Sequence, residues 1–146
     1  DMVEQGPLGR HLEEAIGVHL LTLWRQQLQQ PQAPTLHRLT PRHVLAAEQH
    51  IREHASDAPT LSALAAAAGV SVRTLNAAFR EYRDCTPMQA LREARLTGVR
   101  AELLSAPPGA TVRGVAAGWG YANFGLFAAD YRRRFDETPS ATLARR

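Results

Sequence analysis

The stretch 60–80, TLSALAAAAGVSVRTLNAAFR, constrains the fold of this chain more than any other. Its alanine-rich first half is typical of a helix that a second helix can approach closely, and Gly69 can adopt the positive φ of a sharp turn. Ser71 is placed to cap the second helix. Leu75 and Phe79, four residues apart, would pack that helix onto the first. The pattern therefore predicts two short helices joined by a tight turn.

The second of these helices carries side chains that suit the edges of DNA bases. Arg73 and Arg80 can donate paired hydrogen bonds to guanine, and Asn76 matches the edge of adenine. Thr74 and Ala77 can contact the methyl group of thymine. Such residues are typical of the reading helix of a helix-turn-helix motif, while an αα-hairpin with a polar outer face also fits the pattern.

The same pattern returns about fifty residues later. Gly69 is matched by Gly120, 51 residues on, and Phe79 by Tyr131, 52 residues on, as if one residue had been inserted between them. The segment that follows each unit also repeats, as Asp84-Cys85-Thr86-Pro87 and as Asp136-Glu137-Thr138-Pro139. A period near 50 with turn, core and exit in register indicates two related units. We place them at about 60–82 and 111–135.

A single predicted helix at about 87–104 connects the two units. Thr86 can cap this helix while Pro87 occupies its first position, a combination that favours a helix start. At ~1.5 Å per residue the connector is about 27 Å long. That length suits two reading helices spaced by one turn of DNA, ~34 Å. We expect the following side chains to point inward: Met88, Leu91, Leu96, Val99 and Leu103.

The chain before the first unit contains two further predicted helices. Residues 8–29 show an amphipathic helical pattern, whose wide apolar face needs a partner. Residues 29–40 have the proline-containing composition of a linker. Thr40 and Pro41 then start a helix by the same cap-plus-proline device, and it is predicted to run to about residue 55. We therefore divide the chain into 1–40, whose helix is expected to pack on an upstream domain or on a second copy of the chain, and 41–146, a DNA-binding domain.

The charge of the chain is concentrated in its second part. All 17 basic residues are arginines, and residues 41–146 hold fourteen of them against ten acidic residues. Residues 1–40 hold three arginines against four acidic residues. Basic surface beside helix-turn-helix units is what contact with nucleic acid requires. Cys85 is the single cysteine, so an internal disulfide is excluded and a reducing compartment is indicated. No apolar run reaches the length of a membrane span, so no membrane partner is expected.

Three segments, LSALAAAAGVSVRTLNAAFREY, TPMQALREARL and VAAGWGYANFGLFAADYRRRFDETPSATL, carry a resemblance to a known family. Through them, residues 41–146 resemble the C-terminal DNA-binding region of the AraC/XylS family of bacterial transcription regulators. The resemblance implies an all-α fold of seven helices in two subdomains, preceded by an effector-sensing or dimerisation domain. It further implies a transcription activator that works in the bacterial cytoplasm, on the nucleoid when bound to DNA, with RNA polymerase as a partner.

The sequence departs from the family pattern at three places. The bend after each unit, where the family usually has glycine, holds Asp84 and Asp136. Aspartate tolerates the left-handed conformation better than most residues, so we expect both corners to survive. Leu126 stands in the second reading helix where the family often has a polar or basic residue.

The second reading helix accordingly offers fewer hydrogen-bonding groups than the first. Its candidate base contacts are Ala122, Asn123, Phe124 and Ala129. Of these, Asn123 is the best hydrogen-bonding candidate, and Phe124 is equally compatible with thymine contact and with packing. Helix starts present backbone amides to phosphate. The candidate phosphate contacts are Thr60, Ser71, Thr111, Arg113 and Arg132. We expect one chain to read an asymmetric double-stranded site across two major grooves, with the first unit supplying more of the specificity.

Two other functions fit parts of the sequence. His50 to His54 matches the H-x-x-E-H motif of zinc proteases, in which two histidines share a metal and glutamate activates water. No third ligand on a partner helix is evident, and all six histidines lie within the first 54 residues. We therefore predict no enzyme activity, no metal and no cofactor. A helical protein-interaction module is the remaining alternative.

Overall fold

The computed structural model describes residues 39–146, and this part of the chain is all helical. Thr40–Arg146 forms a compact unit. Its helices are α1 (Arg42–His54), a 3-10 helix (Ala55–Asp57), α2 (Leu61–Ala68), α3 (Val72–Arg83), α4 (Pro87–Leu104), α5 (Val112–Gly118), α6 (Phe124–Phe135) and α7 (Pro139–Ala144). The all-α prediction is confirmed, and α4 has the predicted bounds of the connector. The predicted helix at 8–29 lies outside the described residues.

Side-chain caps define where most of these helices begin. In α2 to α7 the residue before the helix accepts a hydrogen bond from a backbone amide three residues on; these residues are Thr60, Ser71, Thr86, Thr111, Asn123 and Thr138. The predicted cap at Thr40 is wrong. Pro41 itself occupies the capping position of α1, with ψ of 144°, and no side chain caps the helix. Thr40 is one residue too far away to reach the free amides.

The two turns and the two exits repeat in conformation as well as in sequence. Gly69 and Gly120 have φ of 71° and 76°, and Asp84 and Asp136 have φ of 54° and 55°. These values lie in the left-handed region that ends a helix sharply. The aspartates therefore take the place of glycine, as expected. In the first unit (α2, turn and α3) the two helices meet at a bend of 84°.

Each unit has its own hydrophobic core, and the connector α4 contributes to both. Leu91 joins the core of α1 to α3, where Leu64, Leu75 and Phe79 are fully buried. The later part of α4 joins the core of the second unit (α5, turn and α6) through Leu96, Val99 and Leu103, beside Phe127 and Tyr131. These inward residues of α4 match the prediction.

Met88 does not point inward, and the prediction for it is wrong. Its side chain is 40% exposed. Pro87 occupies the inward face instead, because it is fully buried and lies one helical turn before Leu91. The apolar spacing of the sequence did not show which of these two neighbouring residues faces the core.

The two units are held against each other by Trp119, which packs on both cores. Its indole nitrogen donates to Glu102 at 2.6 Å, and its ring covers Gly98 on α4. A Cβ at Gly98 would lie 2.0 Å from the nearest ring carbon, so only glycine admits the indole at this point. The backbone oxygen of Trp119 accepts a hydrogen bond from Arg95 at 2.8 Å. The connector is thus attached to the second unit on two sides.

The turn of the second unit also touches the first part of the fold directly. A Cβ on Gly120 would lie 2.9 Å from the Cβ of Ala58 and 3.4 Å from the backbone oxygen of Ser56. Both of these residues lie at the end of the segment that follows α1. The relative placement of α3 and α6 is therefore set by packed contacts as well as by the connector.

Candidate nucleic-acid interface

The first reading helix, α3, presents one polar face to solvent. Arg73, Thr74, Ala77 and Arg80 are exposed, while Asn76 is half-buried at the side of the helix. The opposite face is anchored by Leu75 and Phe79, which are fully buried. The structure therefore brings the predicted base-contacting residues of the first unit together, with Asn76 set back from the others.

The first turn of α3 is ordered by a pair of hydroxyl groups. The backbone amide of Thr74 donates to the Ser71 hydroxyl at 3.1 Å, and the Ser71 hydroxyl donates to that of Thr74 at 2.9 Å. The Ser71 hydroxyl is consequently occupied as donor and as acceptor. Because the Ser71 hydroxyl proton is already donated, a phosphate contact at Ser71 would use its backbone amide. The Thr74 hydroxyl accepts in this pair, so its own proton can still be donated to a base.

Two other predicted phosphate-binding residues, Thr60 and Thr111, also lie at exposed helix starts. The hydroxyl oxygens of Thr60 and Thr111 accept from the backbone amides of Ala63 and Gly114, each at 3.1 Å. Both threonines retain a hydroxyl proton that can be donated to a phosphate oxygen. Equivalent caps thus open the supporting helices α2 and α5 of the two units.

The second reading helix, α6, presents small and apolar side chains in the same place. The offset of 52 pairs Leu75 with Phe127, both fully buried, so the exposed Gly125 takes the position of Arg73. Exposed Ala129 likewise takes the position of Ala77. The structure thus agrees with the prediction that this helix is poor in hydrogen-bonding groups.

Asn123 is the cap of α6 and not a free base-reading group. Its side-chain oxygen accepts from the backbone amide of Leu126 at 3.0 Å. Paired recognition of adenine uses both the oxygen and the nitrogen of an asparagine side chain. With the oxygen committed to the cap, the amide nitrogen is the group that Asn123 offers to DNA. Ala122, just before it, is exposed in the turn.

Phe124 is mainly a packing residue. It is half-buried, and its ring centroid lies 5.8 Å from that of Phe127 in the second core. The guanidinium carbon of Arg113 lies 4.8 Å from the centroid of the Phe124 ring. This contact positions Arg113, an exposed residue of α5, beside the start of the reading helix.

The arginines of residues 39–146 fall into two groups. One group is committed to the scaffold by ion pairs, and the pairs are Arg83 with Glu48, Arg92 and Arg133 with Asp130, Arg100 and Arg145 with Glu137, and Arg134 with Glu93. The hydrogen bond to Glu48 raises the pKa of Arg83 above its ordinary value. Asp130 and Glu93 thus neutralise two of the three arginines in the basic run at 132–134.

The second group consists of arginines that face solvent, and three of them lie on the reading helices. These three, Arg73, Arg80 and Arg132, are exposed, and none of them forms an ion pair with another residue of 39–146. Two belong to α3 and one to α6, and Arg80 and Arg132 are equivalent by the repeat. Positive charge that the fold itself does not neutralise is thus present on the reading helix of both units.

The H-x-x-E-H segment is engaged in local contacts on α1. The rings of His50 and His54 lie 4.5 Å apart, and the Nδ1 atom of His54 lies 3.1 Å from a carboxylate oxygen of Asp57. Glu53 accepts a hydrogen bond from Gln49 at 2.9 Å. Among the described residues, no three His, Cys, Asp or Glu side chains are grouped so as to hold a metal ion.

Taken singly, none of the helices of residues 39–146 is long and apolar enough to cross a membrane. The pair α2 and α3 reaches that composition only together, across the 84° bend of the first unit.

Comparison with known proteins identifies the family of this fold. A family model described as a helix-turn-helix domain matches residues 64–145. The solved structure of a probable AraC family transcriptional regulator from Rhodopseudomonas palustris is 33% identical to this chain, with a TM-score of 0.67. The match covers 72% of this chain and 97% of that one. The chain belongs to the AraC family.

Curated relatives agree with this membership. The probable thc operon regulatory protein of Rhodococcus erythropolis is 34% identical over 82% of this chain. An activator of the XylDLEGF operon from Pseudomonas putida is 37% identical over 67% of it. The chain spans only about a third of the length of these relatives, 35% and 30% respectively. AraC-family proteins are transcriptional regulators and not enzymes, so the H-x-x-E-H segment carries no hydrolase assignment.

Sequence reasoning missed the residues that fix the second reading helix in place. Trp119 and Gly98 are separated by 21 positions and belong to different helical segments, so no local pattern links them. One signal was available, because a glycine inside a long helix costs stability and often marks close approach of another group. Gly98 is such a glycine, at the middle of α4.

Proposed function

We propose that residues 41–146 bind a specific, asymmetric double-stranded DNA site by placing α3 and α6 in two successive major grooves. The observation that carries this proposal is the duplication of one helix-turn-helix geometry within a single chain, with matched turn and exit angles. Two covalently joined reading helices give one chain two points of contact on one face of DNA. A second copy of the chain is not needed to complete such a site.

The candidate residues divide between base edges and phosphates. Arg73, Thr74, Ala77 and Arg80, with Asn76 beside them, supply base contacts from α3. Ala122, Asn123, Phe124 and Ala129 form the corresponding surface at α6, with Phe124 mainly supporting it. The phosphate contacts are Thr60, Ser71, Thr111, Arg113 and Arg132. This division is supported by the exposed arginines on both reading helices and by the capped helix starts beside them.

We further propose that residues 1–40 end a preceding effector-sensing or dimerisation domain, and that the protein activates transcription in the bacterial cytoplasm, on the nucleoid when bound to DNA. The amphipathic pattern of 8–29 supports the first part, because its apolar face needs a partner. The Pseudomonas putida relative is a transcriptional activator, which supports the second part. RNA polymerase is the partner that activation requires.

The proposal is tested by the salt dependence of binding to a duplex selected from a random pool. Contacts to ~6–10 phosphates release counterions, so we expect affinity to fall by about 10³- to 10⁵-fold between ~50 and ~200 mM salt. Fluorescence anisotropy with labelled duplex and random competitor measures both affinity and preference. A flat salt response, or no preference over random competitor, contradicts the proposal.

A further inference from the structure

The second reading helix carries a large apolar side chain where the first carries a hydroxyl. Leu126 stands in α6 at the position of Thr74 in α3, as the shared offset of 52 between the buried anchors shows. Its side chain is 66% exposed, more than any other large hydrophobic side chain of the helix-turn-helix units. The backbone amide of Leu126 is fixed by Asn123, so this side chain projects from an ordered first turn.

The exposed face of α6 around Leu126 offers few polar groups that could read a base. Arg92 and Asp130 line the same cleft as Leu126, but they form an ion pair with each other at 3.8 Å. Gly125 and Ala129, its neighbours on the exposed face, have no polar side-chain atoms. Asn123 has committed its side-chain oxygen to the helix cap. Recognition at this part of the helix must therefore depend chiefly on apolar contact.

Phe124 is the other apolar candidate, and its contacts make it less suitable. Its ring packs on Phe127 and one face is covered by Arg113. Both contacts would have to be given up before the ring reached a base in the groove. Leu126 has no such commitment, because most of its surface already faces solvent.

We propose that Leu126 contacts the C5-methyl group of a thymine, and that the second unit selects its half of the site by this apolar contact. The inference rests on the proposed function. The thymine methyl is the apolar group on the major-groove edges of the base pairs, so it is the partner that a leucine on a reading helix fits. The two units would then read DNA by different chemistry, hydrogen bonding in the first and methyl contact in the second.

The test removes the methyl group and the leucine separately and together. Each thymine of the duplex selected by the wild-type chain is replaced in turn by deoxyuridine, which lacks only the methyl. For the wild-type chain we expect one such replacement, in the half-site of the second unit, to weaken binding about three- to fivefold, the effect of one buried methyl group. For Leu126→Ala the same replacement should change binding less than about 1.5-fold, because the partner of the methyl is gone.

Leu45→Ala is the matched control, since Leu45 is also an exposed leucine but lies on α1. It should show the same deoxyuridine profile as the wild-type chain. The inference is overturned if every thymine whose replacement weakens binding of the wild-type chain has the same effect on Leu126→Ala. Specific and salt-sensitive binding to DNA would still support the proposed function in that case. If Leu126→Ala weakens binding equally on every duplex, the inference is also overturned, because the contact of Leu126 is then independent of the base sequence. A wild-type chain with no preferred duplex contradicts the proposed function itself.

Discussion

The two helix-turn-helix units share a backbone and differ in what they present on it. The turn glycines and the exit aspartates agree in φ to within a few degrees. On the reading helices, however, Arg73 in the first unit is replaced by Gly125 in the second, and Thr74 by Leu126. The difference teaches that caps, turns and buried anchors fix where a reading helix lies, whereas its exposed face is free to change.

The cores of the units differ in the same way. Phe79 in the first unit is fully buried among apolar side chains. Its counterpart Tyr131 is equally buried, and its hydroxyl lies 2.8 Å from that of Thr142 on α7. Thr142 in turn lies 2.8 Å from a carboxylate oxygen of Glu137. Hydrogen bonds at the edge of the second core therefore hold α7 against this unit. At the equivalent position of the first core, Phe79 makes apolar contacts only.

The largest expected effect comes from separating the two units at their junction. Gly98→Ala would place a methyl group 2.0 Å from a ring carbon of Trp119. The indole must then move away from α4, and we expect a loss of about 3 kcal/mol in the free energy of unfolding. Urea denaturation followed by circular dichroism measures the loss. DNA binding by the second unit should weaken as well, because its orientation relative to the first depends on the same contact.

Gly118→Ala is the control for the junction variant. A Cβ at Gly118 meets nothing within 4 Å, and the residue lies at the end of α5. This variant should be neutral or more stable by about 0.5 kcal/mol, since alanine loses less backbone entropy than glycine. Equal destabilisation by the two variants would mean that Trp119 does not join the units.

The next largest effect is expected on DNA binding, from substitutions at equivalent positions of the two reading helices. Arg73→Ala should weaken binding to the selected duplex by about 2 kcal/mol and relax the preference at one base pair. Gly125→Ala, at the equivalent position of the second unit, should leave affinity within about twofold, because it removes no side-chain contact and its Cβ meets Asn123 at an ordinary 3.5 Å. Selection from a random pool with each variant measures both quantities. A uniform loss over all sequences for Arg73→Ala would make Arg73 a phosphate contact instead.

The smallest effect is expected from removing the Tyr131 hydroxyl group at the edge of the second core. Tyr131→Phe removes the hydrogen bond to Thr142 and should cost about 1 kcal/mol in the free energy of unfolding. Burial also raises the pKa of Tyr131 above its ordinary value of 10.0. The wild-type chain therefore loses stability as the pH rises above 10, because the unfolded chain ionises there while burial keeps the Tyr131 phenol of the folded chain neutral.

Urea denaturation as a function of pH tests this expectation. Above pH 10 the stability of Tyr131→Phe should fall less steeply than that of the wild-type chain. Part of the fall will remain, since burial raises the pKa of Tyr121 as well. Tyr82→Phe, in the first unit, is the control and should leave stability unchanged, because the Tyr82 hydroxyl makes no hydrogen bond within residues 39–146. Parallel pH curves for Tyr131→Phe and the wild-type chain would contradict the expectation.

Much of the fold was predictable because its signals are local. Ser71, Thr86 and Gly69 act within three or four residues of their own position, and the internal repeat then extends each prediction to the second unit. Most of the buried face of α4 followed from helical spacing, with Met88 as the exception. Each of these signals depends only on residues that are close together in the sequence.

The parts that could not be predicted depend on distant partners. The pairing of Arg134 with Glu93 and the cover of Gly98 by Trp119 join separate helices. The sequence left open whether Phe124 packs or contacts thymine. It does not show that Arg113 lies over the Phe124 ring. For the candidate site, the sequence thus indicated which residues occupy the reading helices, but not which of them the fold leaves free.

The shared position of Trp119 in both cores has a consequence for the DNA itself. In the proposed complex, α6 would meet the neighbouring groove at high effective concentration once α3 is bound, with little orientational entropy left to lose. A single base pair inserted between the half-sites would rotate one against the other by about 35°, given ~10–10.5 base pairs per helical turn. The packed junction would accommodate such a rotation poorly, so we expect the spacing between the half-sites to be part of the sequence that this protein recognises.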